Sequence, residues 1–141
     1  MNLITLITIA VLMIMSFFHI YWVFGGKLGL DKALPTTLDG RRLIDPSKFL
    51  TFMVALILTG FSFVAYMLHF MDVTDNMYIY SGWFVSAVFI VRSIGDFNTV
   101  GFFKKIRSTE FAKYDTRYFS PLCLYLGIYF ALSAYSAVGN G

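Results

Sequence analysis

The sequence contains few charged residues and almost no cysteine. Only 13% of its 141 residues are Asp, Glu, Lys or Arg, whereas soluble domains carry about 25%. The single cysteine, Cys123, excludes an internal disulfide and a metal site built from several thiolates. The sequence also contains no glycine-rich phosphate loop, no HExxH motif and no GxSxG motif. Composition therefore favours neither a secreted disulfide scaffold nor one of these common enzyme classes.

Apolar residues are correspondingly abundant, at 58% hydrophobic and 19% aromatic. A soluble chain of this length could not bury so much apolar surface. A helix needs about 20 apolar residues to cross a bilayer, and no segment alternates apolar and polar residues as membrane β-strands do. We therefore predict an all-α membrane protein, a four-helix bundle in which residues 1–141 form a single transmembrane domain. Its helices are predicted at residues 2–24, 49–71, 77–94 and 119–138.

The basic residues lie in two segments, residues 25–48 and 95–118, or, for Arg92, just before the second of them. The turn between them, at residues 72–76, contains two aspartates and no base. The positive-inside rule predicts that both basic segments are cytoplasmic and both termini extracytoplasmic, in a multi-pass protein of the cell membrane. We expect this charge to attract anionic phospholipid headgroups of the bilayer, and not nucleic acid.

Two Xaa-Pro pairs predict where helices begin on the cytoplasmic side. Asp45-Pro46 and Ser120-Pro121 each offer an N-cap residue followed by proline at the first helical position. The positive dipole ends of both helices would then open at one level of the bundle. The fourth helix also has a stripe of small residues, which predicts a close helix–helix seam that includes Gly127.

The second basic segment has the pattern of an amphipathic loop at the membrane interface. Apolar residues recur every third position, and bases lie between or beyond them. We expect the aromatic side chains to face the membrane and the bases to face away from it. The apolar positions are Phe97, Val100, Phe103 and Ile106, and the bases are Lys104, Lys105 and Arg107.

The stretch FIVRSIGDF, residues 89–97, places Arg92 and Asp96 at the end of an apolar run. Arg92 could extend to the headgroups, could pair with Asp96 or Asp115, or could bind an anionic ligand. His19 is predicted about 8 Å from the same end of the bundle. We predict a ligand site there, with no catalytic residue, metal or cofactor assigned. Its candidate residues are His19, Tyr21, Trp22, Arg92, Asp96, Asp115, Tyr118 and Ser120.

Three stretches, HIYWVFGG, RSIGDF and FAKYDTRYFSPLC, carry a resemblance to a known family. They resemble a family of small bacterial four-helix integral membrane proteins of unknown function, over essentially the whole chain. The resemblance implies a four-helix bundle in the cell membrane and supplies no reaction.

Three functions remain open from the sequence. The protein could bind an anionic lipid or small molecule at the cytoplasmic side. It could instead be an accessory or protective subunit, with a membrane-protein partner or a second copy of itself. Thirdly, it could be an intramembrane enzyme that acts on a lipid-borne substrate with His19 as acid or base. The two helical hairpins also resemble each other, which would fit a duplication or a homodimeric ancestor.

Overall fold

The computed structural model describes residues 2–71 and 76–139, which fold into four long helices and two short ones. The long helices are α1 (Asn2–Val23), α3 (Lys48–Phe70), α4 (Asn76–Ile94) and α6 (Ser120–Gly139). The short helices are α2 (Leu30–Ala33) and α5 (Glu110–Tyr114), and a π-helical turn, Asp115–Phe119, joins α5 to α6.

Four helices are long and apolar enough to cross a membrane, which confirms the prediction of an all-α membrane bundle. The fourth of them includes α5, the π-helical turn and α6 as one continuous helix of 30 residues. Of the predicted turn between the second and third long helices, residues 72–75 lie outside the described residues.

The bundle consists of two antiparallel hairpins, α1 with α3 and α4 with α6. In the first hairpin the Ser16 hydroxyl donates to the carbonyl oxygen of Ala55, at 2.8 Å. In the second the Ser86 hydroxyl donates to the carbonyl oxygen of Gly127, at 2.7 Å. A serine bonded to the backbone at a small residue brings two helices close together in lipid, where no hydrophobic effect drives them to associate.

The two hairpins also match at the end of their first helices, α1 and α4. Gly25 follows Ser16, and Gly95 follows Ser86, at an identical spacing, and both glycines have φ = 90°. Each glycine ends its helix in the left-handed conformation that residues with a Cβ seldom adopt. The two hairpins therefore share these two features at the same spacing, and each turns at the same end of the bundle.

The hairpins pack against each other through apolar side chains near the middle of the bundle. Phe61 of α3 meets Phe89 of α4 edge to face, with their ring centroids 5.6 Å apart, and Phe89 is buried. Two tyrosines of α6 add hydrogen bonds to α1, with Tyr129 Oη 3.0 Å from Thr5 Oγ1 and Tyr125 Oη 2.9 Å from Thr8 Oγ1. These contacts leave most apolar side chains on the outside, where lipid covers them.

Both predicted N-caps are wrong. Helix α3 begins at Lys48 because Ser47 is the N-cap and its side chain accepts from the Leu50 amide at 3.2 Å. Asp45 lies before this cap, exposed to solvent, with its carboxylate 3.8 Å from the Arg42 guanidinium. Ser47 can fill this role because its backbone is extended, which is the usual conformation of an N-cap.

The continuous helix made of α5, the π-helical turn and α6 begins at Glu110, whereas its start was predicted at residue 119. Its N-cap is Thr109, whose hydroxyl accepts from the Ala112 amide at 3.1 Å. Ser120 and Pro121 therefore lie inside a continuous helix, which tolerates the missing proline N–H directly after the π-helical turn. Because this segment is helical, the free helix N-terminus predicted at Ser120 does not exist.

Candidate functional site

A buried carboxylate, Asp115, lies where the π-helical turn begins. The Ser120 amide bonds to the Asp115 carbonyl, five residues back, instead of the usual four. In an α-helix, side chains three or four positions apart share a face, and the wider turn brings side chains five apart together. The Ser120 hydroxyl accordingly donates to Asp115 Oδ2 at 3.2 Å.

Three further donors surround this carboxylate. Arg92 Nη2 donates to Oδ1 at 2.9 Å, while the Gly101 amide and Lys104 Nζ each donate to Oδ2 at 2.8 Å. The side chains of Asp115 and Lys104 are fully buried, and that of Arg92 is 35% exposed. We call Arg92, Lys104 and Asp115, with the Gly101 amide and the Ser120 hydroxyl, the charge cluster. Of the pairings left open by the sequence, the structure contains Arg92 with Asp115.

Lys104 was expected to face away from the membrane, and that prediction is wrong. Its ammonium group lies inside the loop between α4 and α5, where it also donates to the Gly101 carbonyl oxygen at 2.8 Å. Both sequence neighbours, Phe103 and Lys105, are exposed. The loop is irregular, so a three-residue period does not fix the direction of each side chain. The ion pair with Asp115 explains why a lysine is accommodated inside it.

Asp96 folds the same loop instead of pairing with Arg92. Its Oδ1 accepts from the backbone amides of Asn98, Thr99 and Val100 at 2.7–2.9 Å, and its Oδ2 accepts from the Thr99 hydroxyl at 2.6 Å. Partial burial alone would raise the pKa of Asp96, but the Thr99 hydroxyl and the three amides outweigh it and hold that pKa well below its usual value. The residue is therefore a loop-forming anion.

Two glycines allow the loop to approach the end of α4. A Cβ on Gly95 would overlap the Val100 carbonyl oxygen, and one on Gly101 would overlap the Ile94 carbonyl oxygen. The Phe102 amide then donates to the Ser93 carbonyl at 2.9 Å. This close backbone contact carries the Gly101 amide and Lys104 to Asp115.

The aromatic candidates at the end of α1 form a separate turn. Trp22 Nε1 donates to the Leu28 carbonyl at 2.9 Å, and the Tyr21 ring lies directly against Gly26. His19 Nδ1 is 2.7 Å from the Met15 carbonyl oxygen. Among the residues that the structure describes, no hydrogen bond or ion pair joins these side chains to the charge cluster. Their role in ligand binding stays a prediction.

Tyr118 and Ser120 have different positions relative to the cluster. Tyr118 is exposed, its ring 5.8 Å from that of Tyr114 and 5.5 Å from the Arg117 guanidinium carbon. Ser120 belongs to the charge cluster through its hydroxyl. Of the eight candidates, the structure thus brings together Arg92, Asp115 and Ser120.

Arg92 retains hydrogen-bonding capacity that the cluster does not use. Its Nη1 is buried and has no hydrogen-bond partner within residues 2–71 and 76–139. The cluster contains two cationic side chains and one carboxylate, so its formal charge is positive. Asp115 is already satisfied by four donors, and Arg92 is the charged member that reaches the surface.

The fold and the cluster define a small multi-pass membrane protein with a buried ion network at one end of its bundle. The chain belongs to the family described as Protein of unknown function (DUF3995), whose model matches residues 12–130. The match agrees with the resemblance to an uncharacterised family. No curated protein and no solved structure matches the chain.

Proposed function

We propose that this membrane protein binds an anionic group, a phosphate or a carboxylate, at Arg92, whose side chain is 35% exposed. The observation that carries the proposal is the buried Arg92 Nη1, which has no hydrogen-bond partner among the described residues, in a cluster of net positive formal charge. A guanidinium presents two parallel N–H donors to a carboxylate or phosphate. Since Nη2 is held by Asp115, the remaining donors are fixed in direction before any ligand arrives.

The first hairpin serves as an internal comparison for the second. It has the same serine-to-carbonyl bond and the same left-handed glycine, yet Trp22 stands where Arg92 stands relative to that glycine. In that turn the Trp22 Nε1–H donates a hydrogen bond to the Leu28 carbonyl oxygen, and among the described residues no buried ion pair is involved. Because the hairpin architecture does not require charges at this position, the charge cluster supports a role beyond folding.

Binding fits this arrangement better than catalysis does. A general base needs a lone pair directed at its substrate, but Asp115 accepts four hydrogen bonds and Asp96 also accepts four. His19 lies on α1 of the other hairpin, where its Nδ1 is 2.7 Å from the Met15 carbonyl oxygen. An acid–base pair between His19 and either aspartate therefore lacks support. Anion binding at Arg92 is the function that the arrangement favours.

The anion would come from the cytoplasmic leaflet if the positive-inside rule holds here. The two basic segments meet at one end of the bundle, where Lys32 Nζ lies 4.7 Å from the centroid of the Tyr114 ring. Basic residues next to a membrane attract anionic headgroups. We therefore propose the phosphate of an anionic phospholipid as the first ligand to test, with free phosphate as the alternative source.

Native mass spectrometry of the detergent-extracted protein tests the proposal. The parent, Arg92→Gln and Arg41→Gln would each be exposed to phosphatidylglycerol and, separately, to inorganic phosphate. Arg41→Gln is the matched control because it removes the same charge from an exposed residue of the first loop. We expect Arg92→Gln to lose bound lipid at least tenfold and Arg41→Gln to retain it.

Each outcome of this experiment has a separate meaning. Equal retention by all three proteins would contradict a site at Arg92. Retention of phosphate without lipid would move the ligand from the leaflet to solution. A protein that co-purifies with the parent and not with Arg92→Gln would favour the accessory-subunit function.

A further inference from the structure

The loop between α4 and α5 exposes two phenylalanines beside its buried lysine. Phe97 is 58% exposed and Phe103 is 63% exposed, and their ring centroids are 6.4 Å apart. Isolated exposed apolar residues are common, but two large rings in contact form a surface that water solvates poorly.

The backbone at Phe97 is unusual for a residue of this size. Its φ is 61°, and it is the one residue other than glycine with a positive φ among those the structure describes. Bulky side chains rarely occupy this region, so the neighbouring structure must impose it. The Asp96 carboxylate imposes this conformation because it accepts from the amides of the three residues that follow Phe97. The Phe97 ring consequently faces outward.

Phe103 is directed outward by its neighbour. Lys104 points into the loop to reach Asp115, and Phe103, adjacent in sequence, is exposed. The Asn98 carbonyl accepts from the amides of Lys105 and Ile106 at 3.1 and 2.9 Å, which closes the loop between the two rings. The aromatic pair is therefore held by a fixed backbone.

The position and charge of the loop indicate what covers these rings. Helix α4 is one of the candidate spans and ends at Ile94, three residues before Phe97. The loop therefore leaves the bilayer at headgroup depth, where the apolar face of an interfacial segment, phenylalanine included, is buried among the lipids. Four exposed bases follow the pair in the sequence, which suits an anionic surface. These bases are Lys105, Arg107, Lys113 and Arg117.

We propose that Phe97 and Phe103 form an aromatic wedge that inserts into the anionic leaflet from which α4 emerges. The wedge anchors the loop between α4 and α5 to lipid, independently of any ligand at Arg92. Its partner is a phospholipid surface and not another protein.

Spin labels test this placement in nanodiscs of phosphatidylcholine with and without phosphatidylglycerol. The native cysteine is first removed as Cys123→Ala, and Phe103→Cys is labelled with a nitroxide. Ser108→Cys provides the matched control, since it is an exposed polar position in the same loop. We expect oxygen to relax the label at 103 at least threefold more strongly than an aqueous nickel complex does, and the reverse at 108.

Two results would overturn the proposal. Equal access of the nickel complex to both labels would mean that the wedge lies in water. Low access of both reagents to position 103 would mean that protein covers it. Phe103→Trp, which keeps an aromatic ring, is measured in parallel: its added fluorescence should be quenched by brominated lipid, more strongly when phosphatidylglycerol is present, and absence of quenching would contradict insertion.

Discussion

Lys104 and Asp115 form an ion pair in which both side chains are fully buried, with Nζ 2.8 Å from Oδ2. Removing two charges from water is costly, and the pair is stable only when its remaining donors and acceptors are satisfied. The Gly101 carbonyl accepts a further bond from the ammonium group, and the Gly101 amide donates one to the carboxylate. The backbone of one loop residue thus completes both halves of the pair.

Asp115 should be the member of the charge cluster whose loss is most damaging. Asp115→Ala leaves two cations, Arg92 and Lys104, facing each other without a carboxylate, and we expect a loss of about 3–5 kcal/mol in unfolding free energy. Adding Lys104→Met to this variant should restore part of the loss, because it removes the buried orphan charge. Thermal unfolding in detergent measures both changes.

An exposed pair provides the control for this prediction. Asp45 is 87% exposed and lies 3.8 Å from the Arg42 guanidinium. Asp45→Ala should change stability by no more than about 0.5 kcal/mol. If Asp115→Ala were as mild as Asp45→Ala, or if the double variant were less stable than the single, the charge cluster would not stabilise the fold as its geometry indicates.

The fold could be predicted from the sequence because lipid imposes a simple rule. A chain in a bilayer must satisfy its backbone within helices, so the lengths of the apolar runs indicated four helices. The helix starts were harder because proline followed two plausible caps. A seryl hydroxyl at Ser47 and a threonyl hydroxyl at Thr109 capped the helices instead, and the π-helical turn made Pro121 compatible with a continuous helix.

The site could be predicted only in part. Arg92 and Asp115 were candidates because charges near the end of an apolar run need a partner. Lys104 was missed because the path of the loop depends on two backbone contacts, at Gly95 and Gly101, that no side-chain period encodes. The glycines themselves were the available signal, since each has a positive φ beside a neighbouring carbonyl.

The seam between α4 and α6 should not tolerate a large residue at Gly127. A Cβ there would lie 2.6 Å from the Ile90 side chain and 3.2 Å from the Ile90 amide nitrogen. We expect Gly127→Leu to destabilise the protein by about 1–3 kcal/mol. Gly60→Leu is the control, because nothing lies within 4 Å of a Cβ at Gly60. Comparable melting of the two variants in detergent would argue against close packing at Gly127.

The orientation of the bundle predicts the location of its C-terminus. If both basic segments are cytoplasmic, a reporter fused after residue 141 should be extracytoplasmic. Alkaline phosphatase should therefore be active in this fusion and green fluorescent protein dark. Fusions at Leu38, in the first basic loop, should give the opposite pattern. A fluorescent C-terminal fusion would reverse the proposed orientation.

Asp96 predicts a loss of stability in acid. Its folded-state pKa is depressed below the unfolded value of about 4. A depressed pKa means that the contribution is fully present above the unfolded pKa and is lost as pH falls below it. Asp96→Ala should cost about 1–2 kcal/mol at neutral pH through the lost hydrogen bonds. Melting followed from pH 7 to pH 3 should fall less steeply in this variant than in the parent, and parallel curves would rule out Asp96 as a source of the acid sensitivity.

The repeated glycines Gly25 and Gly95 separate conformational strain from steric overlap. Both have φ = 90°, so alanine at either position should cost about 1–2 kcal/mol for the left-handed backbone alone. A Cβ at Gly25 meets nothing within 4 Å, whereas one at Gly95 would overlap the Val100 carbonyl oxygen. Gly95→Ala must therefore displace the loop that brings Gly101 and Lys104 to Asp115, and we expect a total loss of about 3 kcal/mol or more in unfolding free energy.

Thermal unfolding of the two alanine variants in the same detergent measures the difference, and native mass spectrometry with phosphatidylglycerol shows whether Gly95→Ala alone also loses lipid. Equal melting temperatures for the two variants would mean that the loop does not depend on close approach at Gly95.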